Sequence, residues 1–423
     1  MQVVNGMDLL NVIRDIETRI LTKPFRVAVL ISSIAFLIRV AFIVFYTPHP
    51  LAGGDPTAFW TYAEGIANGQ GFRSTFEPWL ADRPPLYSYF LAGIFLLGGK
   101  TQQTVFFVQA ALAAVAAGVF YLGTTRVLDK FGSLVAGILF AVFPAILLFT
   151  QQILTEAIYI PIWVFLLVSL IYVREKSESK RLLLGAGITL GLLALVRREA
   201  ILPGGIMAIT LLWLATPYQW GKLLQRSVII FIMAGLVILP WLVRNYYVLG
   251  EPVLSSSGGI NFMVGNNPMA DGAYSPPPLE WQAQFQGLTE LERDQKAWAL
   301  SLQWVRENPG DFFSLLPKKF MTLWGPAHNF VLDWADIGLL LLCLPGLLRI
   351  LQRRERWELI TVIFLVPVLT TTLVGLTFVG LWRYRLLVYP GLIILAGYGS
   401  MQILSWYGAF RSSFQKRHVA PHS

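Results

Sequence analysis

Apolar residues fall in long unbroken runs along this chain, and polar residues collect between the runs instead of alternating within them. The runs cover residues 27–46, 104–125, 133–150, 157–173, 182–196, 200–215, 227–243, 337–351, 359–379 and 386–406. Most are long enough to cross a hydrocarbon core of about 30 Å; of the four between 157 and 243, two are short. In lipid every backbone N–H and C=O has to be paired within its own segment, so such runs must be helices. The pattern predicts an all-α polytopic membrane protein of about ten transmembrane helices. Two long polar stretches, 47–103 and 244–319, would lie on the same side. A shorter apolar run at 86–97 is too short to span and reads as a helix lying at the membrane surface. The first span follows an amphipathic segment, 1–26, without a small-residue cleavage site, so it reads as an uncleaved anchor.

Composition sharpens this picture. The chain is 55% hydrophobic and 13% charged, about half the charge of a soluble protein. Its net charge is +9, which could suggest nucleic acid, but the basic residues are placed otherwise. They cluster at Arg14–Arg26, Arg126 and Lys130, Arg174–Arg181, Lys222 and Arg226, Arg349–Arg356, and Arg411–Arg417. All these segments fall on one side of the expected topology, which puts both termini, including a tail at 407–423, in the cytoplasm. The expected setting is the plasma (inner) membrane, with no nucleic acid as partner. The single cysteine, Cys343, sits inside an apolar run, so the outer loops fold without an intrachain disulfide. The four histidines have no ligand-like neighbours.

The second long loop is built, not low in complexity. Gly258-Gly259, Gly265-Asn266-Asn267-Pro268 and Pro276–Pro278 are turn signals. Thr289-Glu290-Leu291-Glu292 is a capping box, and the amphipathic stretch after it predicts a helix that Asn308-Pro309-Gly310 stops.

Four features carry candidate chemistry. Asp55, in Gly53-Gly54-Asp55-Pro56, is either a helix cap or a carboxylate offered to a ligand. Asp82-Arg83-Pro84-Pro85 presents an arginine that either snorkels to headgroups or meets a lipid phosphate, steadied by Asp82. Glu156 starts a span, where the helix dipole favours a carboxylate; alternatively it faces Asp55, sharing a divalent cation or dividing acid and base duties. Arg39 inside the first span, Arg197-Arg198-Glu199, Arg244, and Arg383-Tyr384-Arg385 place positive charge on the outer side or within the membrane. A phosphate would compensate them, as would ion pairs to Glu199, Asp333 or Asp336. Trp60, Tyr62 and Trp79 could stack on a sugar.

In this order the landmarks resemble the GT-C membrane glycosyltransferases. Within them the chain is similar to bacterial relatives of the dolichyl-phosphate-mannose–protein mannosyltransferases and to the lipid A aminoarabinose transferases. The resemblance rests on Gly54-Asp55-Pro56 with Tyr62-Ala63, Arg83-Pro84-Pro85-Leu86-Tyr87, Leu154-Thr155-Glu156, and Leu195-Val196-Arg197-Arg198-Glu199-Ala200. Pro240-Trp241-Leu242-Val243-Arg244-Asn245-Tyr246, Gly265-Asn266-Asn267-Pro268 and Arg383-Tyr384-Arg385-Leu386 complete it. Arg198 stands where the family pattern has proline, and Pro56 where the protein mannosyltransferases carry a second acid. No soluble sugar-reading domain follows the last span.

The resemblance implies a GT-C-like transmembrane module at 27–243, an extracytoplasmic loop at 244–319 and C-terminal spans at 320–406, with surface helices in both loops. It implies an inverting transfer of a sugar from a polyprenyl-phosphate donor on the extracytoplasmic face. An envelope glycan or lipid is a better acceptor than protein. Asp55 and Glu156 would be catalytic, and Arg83, Arg197, Arg383, Arg385 and Arg39 would bind the donor phosphate. Asp82, Arg244 and Asn266 would support them. No metal is required, although Asp55 and Glu156 would hold one if present. Two other classes use the same arginines: a flippase or transporter of an anionic lipid, and an inactive scaffold subunit of an envelope glycan complex.

Overall fold

A computed structural model describes residues 21–45, 53–75, 79–353 and 357–418; most of the amphipathic segment expected at 1–26 lies outside them. The described residues form seventeen α-helices and no strand. Eight segments are long and apolar enough to cross a membrane, as a multi-pass membrane protein requires. They contain α1 (Pro24–Phe45), α4 (Gln102–Thr124), α5 with the short α6 (Lys130–Val142, Pro144–Leu148), α7 (Glu156–Glu175), α9 (Ile201–Ala215), α10 (Trp220–Leu249), α15 (Phe330–Arg353) and α16 (Trp357–Thr377).

Two expected spans fall short of that description. Helix α8 (Lys180–Val196) has 17 residues, about 26 Å at 1.5 Å per residue. Helix α17 (Tyr389–His418) dilutes its apolar positions with Gly, Ser and Gln and a basic end. Both are nonetheless packed in the bundle. α17 meets α15 so closely that a side chain on Gly399 would lie 1.8 Å from the Leu342 carbonyl. The Ala- and Gly-rich α4 packs on α1 in the same way: a Cβ at Gly118 would meet Ser32 Oγ at 2.2 Å. Small residues let helix backbones approach where lipid supplies no hydrophobic drive.

Arg39 has a structural explanation instead of the donor-phosphate role. Proline lacks an N–H and pushes the residue before it out of helical geometry, so the helix breaks at Phe143-Pro144. The break leaves carbonyls at the end of α5 without helical partners. Arg39, wholly buried, donates from Nη1 to Ala141 O at 2.8 Å and to Ala35 O at 3.0 Å. It therefore satisfies a helix C-terminus, whose dipole favours a cation, and does not line the site cavity.

Connections between the helices gather at two opposite ends. At one end Arg126 pairs with Glu175 at 3.5 Å and Arg226 with Glu178. At the other lie α2 (Gly54–Ala67), α3 (Leu86–Gly98) and the long stretch between α10 and α15. Helix α3 has 13 residues, about 20 Å, too short to cross. It packs edge-on against α2 through Phe59 and Tyr87, with ring centres 5.1 Å apart. The long stretch forms α11 (Gly258–Met263), α12 (Leu279–Ala283), α13 (Glu290–Glu307) and α14 (Pro309–Trp324). The capping box forms at Thr289 and Glu292. Asn308 ends α13 as expected, but Pro309 at once begins α14, since proline suits a first helical turn.

Helix α14 buries Lys319 completely. Its Nζ donates to Asn266 Oδ1 at 2.7 Å and Leu376 O at 3.1 Å, with no carboxylate in ion-pair range among the described residues. Asn266 donates in turn to Phe262 O and Thr377 O. It thus ties the 265–268 turn to the end of α16 and does not line the site cavity, contrary to its expected supporting place. Desolvation pushes the Lys319 ammonium down to about 8. Because the folded value lies below the unfolded one of about 10.4, the penalty is full below pH 8 and is relieved as pH rises between the two values. Relative to Lys319→Met, the wild-type melting temperature should therefore climb between about pH 8 and 10. A difference that stays constant over that interval would show that the ammonium is not desolvated.

Candidate active site

At the end holding α2 and α3, a cavity of about 330 Å³ opens among five stretches of chain. Its walls include Asp55, Arg83, Thr155, Arg197, Arg198, Ser255–Ser257, Arg293 and Arg383.

Asp55 sits in the first turn of α2, but the helix already begins at Gly54, with Gly53 as its cap residue at φ 84. No side-chain capping bond forms there, so the Asp-cap reading does not hold. The carboxylate instead meets two guanidinium groups: Arg83 Nη1 at 2.6 Å on Oδ1 and Arg383 Nη2 at 3.3 Å on Oδ2. Burial raises its tendency to hold a proton, yet the charges of Arg83 and Arg383 outweigh this and keep it below the usual carboxylate range.

The network extends both ways from Asp55. Arg83 Nε lies 3.1 Å from Asp82, whose other oxygen accepts from Tyr62 OH at 2.7 Å. The Phe59 ring lies 5.2 Å beneath the Arg83 guanidinium, which favours one orientation of its fork. Arg383 Nε approaches Glu156 Oε1 at 3.6 Å, and Arg197 Nη2 binds the same oxygen at 2.5 Å. Arg197 also reaches Thr155 Oγ1 at 3.0 Å and Glu199 at 3.5 Å. Asp55, Glu156, Arg83, Arg197, Arg383 and Asp82 are thus brought together, and Arg383 bridges the two carboxylates.

Arg385 and Arg244 go elsewhere. Arg385 faces away, pairing with Asp336 at 3.5 Å and donating to Gly325 O at 3.2 Å beside a separate, mostly apolar cavity. Arg244 donates to Leu80 O at 2.6 Å and stacks on Trp241 at 4.8 Å, clamping the first loop to α10. Tyr62 is fully buried and Trp60 packs on Phe95, so neither presents a face to the cavity; Trp79 lines it.

Residues absent from the sequence expectation hold the walls in place. Glu290, at the start of α13, accepts from Leu80 N at 2.6 Å and Ala81 N at 2.8 Å, and from Ser256 Oγ. Ser256 N donates to Ala81 O at 2.8 Å, and Ser257 Oγ to Asp82 O at 2.5 Å. The two long loops are therefore joined directly above Asp82-Arg83. The capping box marked where α13 starts, but nothing local in the sequence marks Glu290 as a partner for residues some 210 positions earlier.

A resident metal does not fit this donor set. The position between Asp55 and Glu156 belongs to the Arg383 guanidinium. No group of three metal-type side chains converges among the described residues.

Residues 82–244 match the family model described as dolichyl-phosphate-mannose-protein mannosyltransferase. No curated protein matches. Among solved structures, the oligosaccharyltransferase of Archaeoglobus fulgidus in its apo form aligns over 93% of this chain and 52% of its own, with TM-score 0.55 and 16% identity. The same organism's oligosaccharyltransferase AglB, in complex with an inhibitory peptide and a dolichol-phosphate, covers 94% and 52%, with TM-score 0.55 and 15% identity. ArnT from Cupriavidus metallidurans in the apo state covers 88% and 76%, with TM-score 0.42 and 12% identity. The chain spans about half the length of the oligosaccharyltransferases it matches. It has the fold of the GT-C glycosyltransferases.

Proposed function

We propose that this chain is an inverting membrane glycosyltransferase, using a polyprenyl-phosphate-linked sugar as donor on the extracytoplasmic face of the plasma membrane. The observation that carries the reading is Asp55 held between Arg83 and Arg383 in the wall of a polar cavity. A carboxylate that can take a proton stands beside guanidinium groups that can take a phosphate. The GT-C fold, the match over residues 82–244 and the dolichol-phosphate in the AglB complex support it. The positive-inside distribution supports the side, because the basic clusters lie at the opposite end. Nucleotide sugars are cytoplasmic, so a transferase facing outward needs a lipid-borne donor.

In the resting site Asp55, Asp82, Glu156 and Glu199 form ion pairs with Arg83, Arg197 and Arg383. A donor phosphate has to compete with Asp55 for Arg83 and Arg383. As it takes them, Asp55 loses its counter-charges and gains an anionic neighbour, both of which raise its affinity for a proton. Donor binding thereby converts an ion-paired carboxylate into a general base. The acceptor hydroxyl gives its proton to Asp55 as its oxygen bonds to the anomeric carbon from the face opposite the phosphate. The carbon–oxygen bond to phosphate breaks through a transition state of oxocarbenium character. Polyprenyl phosphate leaves with the electron pair, and the arginines stabilise its growing charge. Glu156 keeps Arg197 and Arg383 aimed at that position.

The decisive experiment supplies the purified chain in proteoliposomes with a radiolabelled polyprenyl-phosphate sugar and reads both cleavage and the anomer formed. Cleavage with inversion is expected. Retention of configuration, or movement of the intact lipid across the bilayer without cleavage, would defeat the proposal.

A further inference from the structure

Two arginines in the same cavity take no part in the Asp55 network. Arg83, Arg197 and Arg383 each contact two carboxylates within 4 Å, whereas Arg198 and Arg293 have none in that range among the described residues. Arg198 uses Nη1 on Ser255, at 2.7 Å to Oγ and 3.3 Å to O. The same nitrogen would be 3.4 Å from a side chain at Gly258, and that residue has none. The Arg293 guanidinium makes no hydrogen bond among the described residues; it sits over the Trp79 ring, 4.0 Å from its centre, with Nε buried and unpartnered.

Glu290 and Asp294, two acids of the same helical turn, offset part of this charge from a distance but give neither arginine an ion pair within 4 Å. Glu290 is occupied by Leu80 N, Ala81 N and Ser256, and Asp294 by Gly259 N at 2.6 Å and Ile260 N at 3.2 Å. Around the two arginines the wall presents Ser257, Asn261, Tyr274 and Trp79, which offer hydrogen-bonding groups and ring faces and no further acid. Both guanidinium groups are half-buried and lack a carboxylate partner within 4 Å, and a fork of donors so placed can take an anion.

We infer that Arg198 and Arg293 form an acceptor subsite that recognises a sugar bearing an anionic group, phosphate or carboxylate. The inference rests on reading the cavity as a transfer site. The Asp55 end binds the donor, and this end selects the acceptor.

The test uses the full chain in detergent with undecaprenyl phosphate saturating the donor end, and measures equilibrium binding of glucose 6-phosphate, glucuronate and glucose. Both anionic sugars should bind at least about tenfold more tightly than glucose. The pair Arg198→Gln and Arg293→Gln should erase that preference while undecaprenyl phosphate binds as before; the corresponding lysine pair should keep most of it. Equal binding of the three sugars, or a preference that survives in the glutamine pair, would overturn the inference. If the glutamine pair fails to fold, salt titration of the wild type decides. A preference carried by these charges weakens with ionic strength, and one that does not is carried by something else. Failure of undecaprenyl phosphate to bind would count against the transfer-site reading alone, because sugar preference can be measured without the lipid.

Discussion

Asp55→Asn is expected to reduce sugar transfer by about 10²–10⁴-fold, the usual range for loss of a general base. The change is isosteric, and the amide cannot take the acceptor proton. The geometry adds a second, less obvious expectation. Asp55 competes with the donor phosphate for Arg83 and Arg383. Removing its charge frees both, so the variant should bind undecaprenyl phosphate at least as tightly as the wild type. A loss of turnover with retained or improved lipid affinity would separate catalysis from folding in one protein. A variant that loses lipid binding along with activity would mean that Asp55 shapes the site and does not act in the reaction.

Arg383→Gln should lower turnover by about 10²–10³-fold, comparable to the loss of a preorganised donor to a developing oxyanion. Arg383 touches Asp55 at 3.3 Å and Glu156 at 3.6 Å, so its loss removes the bridge between them. Neither carboxylate is left alone: Glu156 keeps Arg197 at 2.5 Å and Asp55 keeps Arg83 at 2.6 Å. The fold should therefore survive, and the melting temperature should stay close to that of the wild type. Arg383→Lys keeps the charge but not the planar fork and should recover only part of the rate. Full activity in Arg383→Gln, measured on the lipid-linked donor, would remove this residue from the proposed chemistry.

The sequence made the span pattern legible because lipid leaves the backbone no choice but helix, and runs of apolar residues then read directly as segments. It also marked Asp55, Arg83, Glu156, Arg197 and Arg383, since charges at the ends of apolar runs stand out against so little other polarity. What it could not reveal was the partner of each charge. Arg39, Arg244 and Arg385 looked equivalent to Arg383, yet their hydrogen bonds go to backbone carbonyls at helix ends and loops, and Arg385 also pairs with Asp336. Those partners depend on tertiary placement: Ala141 is 102 positions from Arg39, and Leu80 is 164 from Arg244. Asn266 was misplaced for the same reason, because a turn signal shows that the chain bends and not what the bend packs against. Glu290 and Arg293 escaped notice because a charged amphipathic helix reads as ordinary until its neighbours are known.

Arg39 also bears on how the protein is made. Its carbonyl partner lies on a helix that enters the membrane only after about a hundred further residues have been synthesised. At about 5–20 residues per second, the first span waits several seconds with the Ala35 carbonyl of its own helix in reach but not that of Ala141. An arginine at the centre of a span costs about 3 kcal/mol by insertion scales, and Arg39, nearer the end of α1, bears part of that cost until α5 arrives. Docking of α5 supplies the Ala141 carbonyl and relieves that cost.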